Sequence, residues 1–105
     1  MDEQQYLEFT RSVDKENGLE FYALGLCEEA GEVAGKIKRI HRDDNDELTF
    51  ERTRQLIIEL GDLLWYFTRI VDYIDTTMPT VRYTNRQKLE DRVARNTLKG
   101  DGDNR

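Results

Sequence analysis

Two long stretches of this chain carry apolar residues at alternating spacings of four and three, the repeat of helices packed in a bundle. The first stretch runs from about Leu19 to Arg42, and the second from about Phe50 to Asp75. The repeat consists of Leu19, Ala23, Leu26, Ala30, Val33, Ile37 and Ile40 in the first, and of Leu56, Leu60, Leu63, Phe67, Ile70 and Ile74 in the second. The pattern predicts two long helices, each with an apolar seam.

The second long helix carries an additional apolar stripe. Ile57, Leu64 and Val71 are seven residues apart, beside the main seam. A helix that is apolar on two sides is buried on two sides, so this one is expected at a bundle centre or at a subunit interface. Gly25, Gly31 and Gly35 interrupt the first long helix, and their small size favours close approach of a neighbouring helix or ligand.

A short amphipathic helix is predicted over residues 2 to about 13, because Tyr6, Phe9 and Val13 lie on one face. Polar segments at 14–18 and 43–47 read as loops. After the second loop, either Asp46 or Thr49 is expected to cap the next helix.

A fourth helix is predicted from about Val81 to Arg95, after a break at Met78-Pro79. Thr84 and Gln87 have capping-box spacing, so its regular part is predicted to begin as late as Asn85. Residues from about 99 to 105 are expected to form a flexible tail. The fold class is therefore all-α, a four-helix bundle unit that makes one domain over residues 1–105.

Charge and composition narrow the class of protein. The net charge is -6, from 16 basic and 22 acidic residues, which argues against nucleic acid or an anionic membrane as partner. No apolar run is long enough to span a membrane, and the N-terminal residues show no secretory signal. The single cysteine excludes an intrachain disulfide. These features favour a cytoplasmic protein.

Two acidic motifs sit beside the apolar seams. Glu29 and Glu32 are three residues apart in the first long helix, and Glu59 and Asp62 are three apart in the second. Each pair projects from one helix face, so the four carboxylates can converge if the helices pack antiparallel. They would repel each other without a cation. Two matching motifs that both lie beside a seam favour this cation site over the alternative, which is exposed surface acids paired with Lys or Arg.

Oxygen ligands favour a hard cation, Mg²⁺ or Mn²⁺. A di-iron carboxylate bundle needs a Glu-x-x-His on each of two helices, whereas the one histidine, His41, lies in neither acidic motif. Zinc fails similarly, since the chain has one Cys and one His.

These motifs resemble the signature of the MazG-like all-α nucleoside triphosphate pyrophosphohydrolases. The resemblance rests on Glu28-Glu29-x-x-Glu32, a gap of 26 residues and then Glu59-x-x-Asp62. It extends to the sequence around these motifs and to Asn85-x-x-Lys88-Leu89-x-x-Arg92. The closest pattern is that of small, often phage-associated, single-domain members.

The resemblance implies Mg²⁺-dependent hydrolysis of a (d)NTP to a nucleoside monophosphate and pyrophosphate, with Mn²⁺ as a substitute metal. It implies Glu29, Glu32, Glu59 and Asp62 as metal ligands. Glu28 would assist, either as a further ligand or by orienting the attacking water. The alternative is a nucleotide-binding regulatory module of the same fold with weak or no turnover. A structural helical oligomer with solvated acids is a third interpretation.

Basic and polar residues supply candidate phosphate contacts. Asn85, Lys88 and Arg92 are spaced to share one helix face, and they match the family's phosphate-contacting segment in type and spacing. The alternative is a solvated helix face. Lys36 lies in a basic cluster near the end of the first long helix, where it either complements the helix dipole or faces a phosphate.

Aromatic residues near the acidic motifs are candidates for contact with the base. Trp65 and Tyr22 either stack on a nucleobase or belong to the core. Cys27 is expected to be a small packing residue, and His41 a helix-end residue. Because one such unit buries little surface, and because related members are dimers or tetramers, a homo-oligomer is predicted.

Overall fold

A computed structural model describes residues 1–95, and the predicted tail at 99–105 lies outside the described residues. The described part contains helices and no strand, so the all-α class is confirmed. Its helices are α1 (Glu3–Val13), α2 (Leu19–Asp43), α3 (Phe50–Tyr73) and α4 (Met78–Ala94). The chain divides into two compact units, one of residues 1–74 and one that begins at residue 75.

Helices α2 and α3 form an antiparallel hairpin, as the sequence predicts. Arg52 near the start of α3 pairs with Asp44 just after α2, with 2.7 Å between Nε and Oδ2. At the other end, the ring of Tyr22 in α2 lies 6.2 Å from the ring of Tyr73, the last residue of α3. The two helices therefore run antiparallel, and the two acidic motifs lie at the same height along the hairpin.

The connector between α2 and α3 reverses the chain through two residues in the left-handed region. Asn45 has φ 53° and Asp46 has φ 62°, a conformation that Asn and Asp tolerate better than most residues. Thr49 then caps α3, since its side chain accepts a hydrogen bond from the backbone N–H of Arg52 at 3.1 Å. The prediction of a cap at Thr49 is confirmed.

Helix α1 packs against α3 and is joined to it by a buried ionic network. Arg69 of α3 donates to Asp14 Oδ2 at 2.9 Å and to Asp72 Oδ2 at 2.9 Å. The same guanidinium donates to the buried hydroxyl of Thr10 at 3.2 Å. Tyr22 of α2 also donates its hydroxyl to Asp14, so the network ties all three helices together.

The second apolar stripe of α3 is largely exposed in the single chain. Val71 is 6% exposed, but Ile57 and Leu64 are 63% and 42% exposed. The main seams are also covered unevenly, because Ile40 is buried whereas Leu60 is 47% exposed. Burial on both sides of α3 is therefore not achieved within one chain.

Helix α4 begins earlier than the sequence suggests. Thr77 is its N-cap and accepts a hydrogen bond from the N–H of Thr80 at 3.3 Å. The predicted start at about Val81 is therefore three residues late, and the later start of the regular part at Asn85 is wrong. Pro79 lies in the first turn, where the N–H it lacks would have had no helical partner. This proline, which the sequence pattern suggests is a break, instead helps to start the helix.

Within residues 1–95, none of the helices combines the length and the apolar character needed to cross a membrane. The cytoplasmic location expected from the sequence stays a prediction.

Candidate metal centre

The antiparallel hairpin brings three carboxylates together. Glu29 of α2 and Glu59 and Asp62 of α3 each offer an oxygen, and these three oxygens all lie within 4.8 Å of one another. Glu59 and Asp62 share one face of α3 because they are three residues apart. The donor set of this group consists entirely of carboxylate oxygens, the ligand type that hard divalent cations prefer.

Negative charge is crowded around Glu29. Burial raises the pKa of Glu29, and the charges of Asp62, Glu59, Glu28 and Glu32 raise it further. Glu29 is half-buried, and ionising it beside these neighbours costs free energy. A divalent cation would remove that cost, so the arrangement fits a bound cation better than it fits isolated surface acids.

Two of the predicted site acids lie outside the close group. Glu28 and Glu32 are both exposed on α2. Both are near enough for their charges to act on Glu29. Their predicted roles, a fourth metal ligand for Glu32 and orientation of water for Glu28, stay predictions.

An aromatic wall adjoins the carboxylates. Glu29, Asp62, Trp65 and Tyr66 line an open pocket of about 260 Å³. The ring centroids of Trp65 and Tyr66 are 5.1 Å apart, and the rings are almost perpendicular at 87°. Trp65, three residues after Asp62, is a candidate from the sequence. Tyr66 is not among the predicted site residues, although its spacing of four residues from Asp62 places it on the same helix face.

Tyr22, the other aromatic candidate, belongs to the core. It is 1% exposed and donates its hydroxyl to Asp14. Its ring meets Trp65 edge-on, with 6.3 Å between centroids, so it supports the pocket wall from behind. The base-stacking interpretation of Tyr22 is therefore wrong, and the core interpretation is confirmed.

Of the predictions for Cys27 and His41, one is wrong and one is confirmed. Cys27 is exposed, so its expected role in packing is wrong. His41 lies in the last turn of α2, where Nδ1 is 2.8 Å from Asp46 Oδ1, as expected of a helix-end residue.

The candidate phosphate contacts lie on two helices. Lys36 is half-buried on α2, four residues after Glu32 and therefore on the same face. Helix α4 carries Asn85, Lys88 and Arg92, which are exposed, half-buried and buried respectively. Their helical spacing is as predicted, and their contact with phosphate stays a prediction.

Comparison with known proteins identifies the family. The sequence matches the family model described as MazG nucleotide pyrophosphohydrolase domain over residues 17–95. The chain belongs to this family, which acts on nucleotides and typically uses divalent metal ions. It is similar to the Gene 37 protein of Mycobacterium phage L5, with 40% identity over 92 residues, covering 88% of this chain and 81% of the relative. No solved structure gives a significant match.

Proposed function

We propose that this protein is a Mg²⁺-dependent nucleoside triphosphate pyrophosphohydrolase that converts a (d)NTP to a (d)NMP and pyrophosphate. The observation that carries the proposal is the convergence of Glu29, Glu59 and Asp62 within 4.8 Å, in a chain of the MazG family. Phosphoryl transfer depends on charge neutralisation and a positioned nucleophile, and a carboxylate cluster that holds a cation serves both needs.

The acidic residues have two tasks in this proposal, to bind the cation and to orient the attacking water. Glu29, Glu59 and Asp62 hold the cation from two helices, and Glu32 completes the ligand set from the next turn of α2. Glu28 orients the attacking water, together with Glu29. A divalent cation bound there supplies positive charge to the phosphates and activates the water, with Mn²⁺ able to replace Mg²⁺.

The substrate is held by residues outside the carboxylate group. Lys36, Lys88 and Arg92 are proposed to bind phosphate oxygens through charge-assisted hydrogen bonds, and Asn85 through its side-chain amide. Trp65 is proposed to contact the base, because it forms part of the pocket wall beside Asp62.

We also propose that the active protein is a homo-oligomer, a dimer or a tetramer. The pocket of about 260 Å³ is smaller than the roughly 300–1,000 Å³ of typical small-molecule sites. Large apolar side chains on the middle of α3 are also exposed: Ile57, Ile58, Leu60 and Leu64. A second copy that covers them would remove this apolar surface from water and would enlarge the pocket wall.

The proposal is tested by incubating the protein with each common NTP and dNTP and Mg²⁺, and by identifying the products. Monophosphate with pyrophosphate is expected, whereas orthophosphate would contradict cleavage between the α- and β-phosphates. Glu59→Gln and Asp62→Asn should abolish turnover and retain the helical circular dichroism signal, and Glu47→Gln in the exposed connector serves as control. Full activity in both variants would exclude this metal site. If nucleotide and Mg²⁺ raise the melting temperature without turnover, the protein is a binding module.

A further inference from the structure

The ring of Tyr66 lies directly on the backbone of α2 at Gly25. A Cβ atom built on Gly25 would lie 2.2 Å from Cε1, 2.4 Å from Cζ and 2.5 Å from Cδ1 of that ring. Non-bonded carbon atoms pack at about 3.5–4.0 Å, so no side chain fits at position 25 while the ring keeps its place. The absence of a side chain at Gly25 therefore makes room for the ring of Tyr66.

Two neighbouring rings hold the ring of Tyr66 in this place. Trp65 packs against it with 5.1 Å between centroids, and Phe21 lies 6.1 Å away. Gly31 and Gly61, in contrast, have no atom within 4 Å of an added Cβ. Among the described glycines of α2 and α3, only Gly25 has no room for a side chain, and the ring of Tyr66 is the reason.

Helical spacing places this pair beside the carboxylates. Gly25 precedes Glu29 by four residues, and Tyr66 follows Asp62 by four, so each lies about one helical turn, or about 6 Å along the helix axis, from a metal-site residue. The ring lines the same pocket as Glu29 and Asp62. Burial and the nearby charges of Glu29, Glu28 and Asp62 raise the pKa of Tyr66, so its hydroxyl stays neutral. The carboxylates thus adjoin an uncharged aromatic surface.

We propose that Tyr66 contacts the nucleoside part of the substrate and that Gly25 is its positioning residue, an inference that rests on the proposed function. If the carboxylate group holds the cation that binds the phosphates, the part of the nucleotide that comes next is the sugar with its base. An aromatic ring one turn away offers that part an apolar surface, and such surfaces bind every base. Tyr66 therefore provides affinity for nucleosides in general and does not select one base.

The test compares two ligands that share phosphates and differ in the nucleoside. Calorimetry with Mg²⁺ measures the Kd of α,β-methylene nucleoside triphosphates with each common base, and the Kd of inorganic tripolyphosphate. Gly25→Ala and Tyr66→Ala should each weaken the nucleotide analogues about tenfold, the effect of losing one aromatic stack, and leave tripolyphosphate unchanged. Tyr66→Phe, which keeps the ring, should bind the analogues almost as wild type does.

A double variant separates positioning from damage to the fold. In the Tyr66→Ala background there is no ring for a new Cβ to meet, so Gly25→Ala should cause no further loss. Gly31→Ala on the same helix is the control, and both Kd values should remain at the wild-type level.

Four results would overturn the inference: unchanged binding of the analogues to Tyr66→Ala, an equal loss of tripolyphosphate binding, an undiminished effect of Gly25→Ala without the ring, or no binding of any analogue to the wild-type protein. A failure of the proposed function is recognised separately. In that case the hydrolysable nucleotides give no pyrophosphate although the analogues bind.

Discussion

Nε of Arg69 donates to Oδ2 of Asp14 at 2.9 Å, and the two side chains are only 9% and 5% exposed. The pair joins α3 to Asp14, the C-cap residue of α1. Tyr22 donates to the same carboxylate and supports Trp65 edge-on, so the ion pair is connected to the wall of the metal-site pocket. The geometry of the site thus depends partly on a buried interaction that contains none of the proposed ligands.

Replacing Arg69 with Met should destabilise the protein by about 3 kcal/mol. The methionine keeps most of the apolar stem, but Asp14 is left as a buried charge without its cation. Urea unfolding followed by circular dichroism measures the change. Arg54→Met on the same helix is the control, because Arg54 and its partner Glu51 are each 58% exposed, and the change expected there is below about 1 kcal/mol. Equal losses in both variants would contradict a special role for the buried pair.

Acid should weaken the same network at Asp72. Hydrogen bonds from Arg11 and, to a smaller extent, from Arg69 lower the pKa of this carboxyl to about 2, although burial alone would raise it. A depressed carboxyl pKa stabilises the folded state above the unfolded value of 3.8, and that stability is lost as pH falls towards about 2.

Asp72→Asn should therefore reduce the free energy of unfolding by about 1–2 kcal/mol near pH 7, with less difference from wild type as the pH approaches about 2. Urea titrations at a series of pH values measure the two curves. Asp75→Asn, at an exposed residue with φ 61° that Asn tolerates, should run parallel to wild type. A difference between Asp72→Asn and wild type that is constant over the whole pH range would show that the charge of Asp72 is not the cause.

The opposite sign is expected at Glu29. Its pKa is raised in the folded state, so ionisation destabilises the metal-free protein above that pKa, and the penalty disappears as pH falls through it. Glu29→Gln should raise the melting temperature of the metal-free protein by a few degrees near pH 7 and change it little near pH 4. The same variant should lose the stabilisation that Mn²⁺ gives to wild type. A variant that is less stable than wild type without metal would contradict the assigned charge repulsion.

The sequence predicts the helices well, since the seams of α2 and α3 repeat over many turns. The sequence narrows the cap of α3 to Asp46 or Thr49, whereas the cap at Thr77 is hidden because the Met78-Pro79 pair resembles a break. Glu29 and Asp62 are also predictable, because charges beside an apolar seam stand out. Local patterns carry the information in all of these cases.

Other features depend on contacts between distant residues, and no periodicity reveals them. Asp14 lies in a polar segment that reads as a simple turn, yet it accepts a hydrogen bond from Arg69, 55 residues later. Gly25 is one of three similar glycines in α2, and only the packing of Tyr66 separates it from Gly31. Contacts between side chains of different helices are therefore recognised only from the three-dimensional structure.

The exposed stripe of α3 should be covered by a second copy of the chain. Ile57 and Leu64 share one face, seven residues apart, and are 63% and 42% exposed in the single chain. Sedimentation equilibrium should therefore give a mass that is a multiple of the chain mass of 12.4 kDa.

Ile57→Glu and Leu64→Glu should each shift the protein towards the monomer, because burying an unpaired charge at an interface is costly. Glu51→Lys, at an exposed position of the same helix that lies six residues before Ile57 and therefore on another face, should leave the mass unchanged. A wild-type protein that sediments as a monomer would contradict the proposed assembly, and monomers of Leu64→Glu that keep full turnover would show that the pocket is complete within one chain.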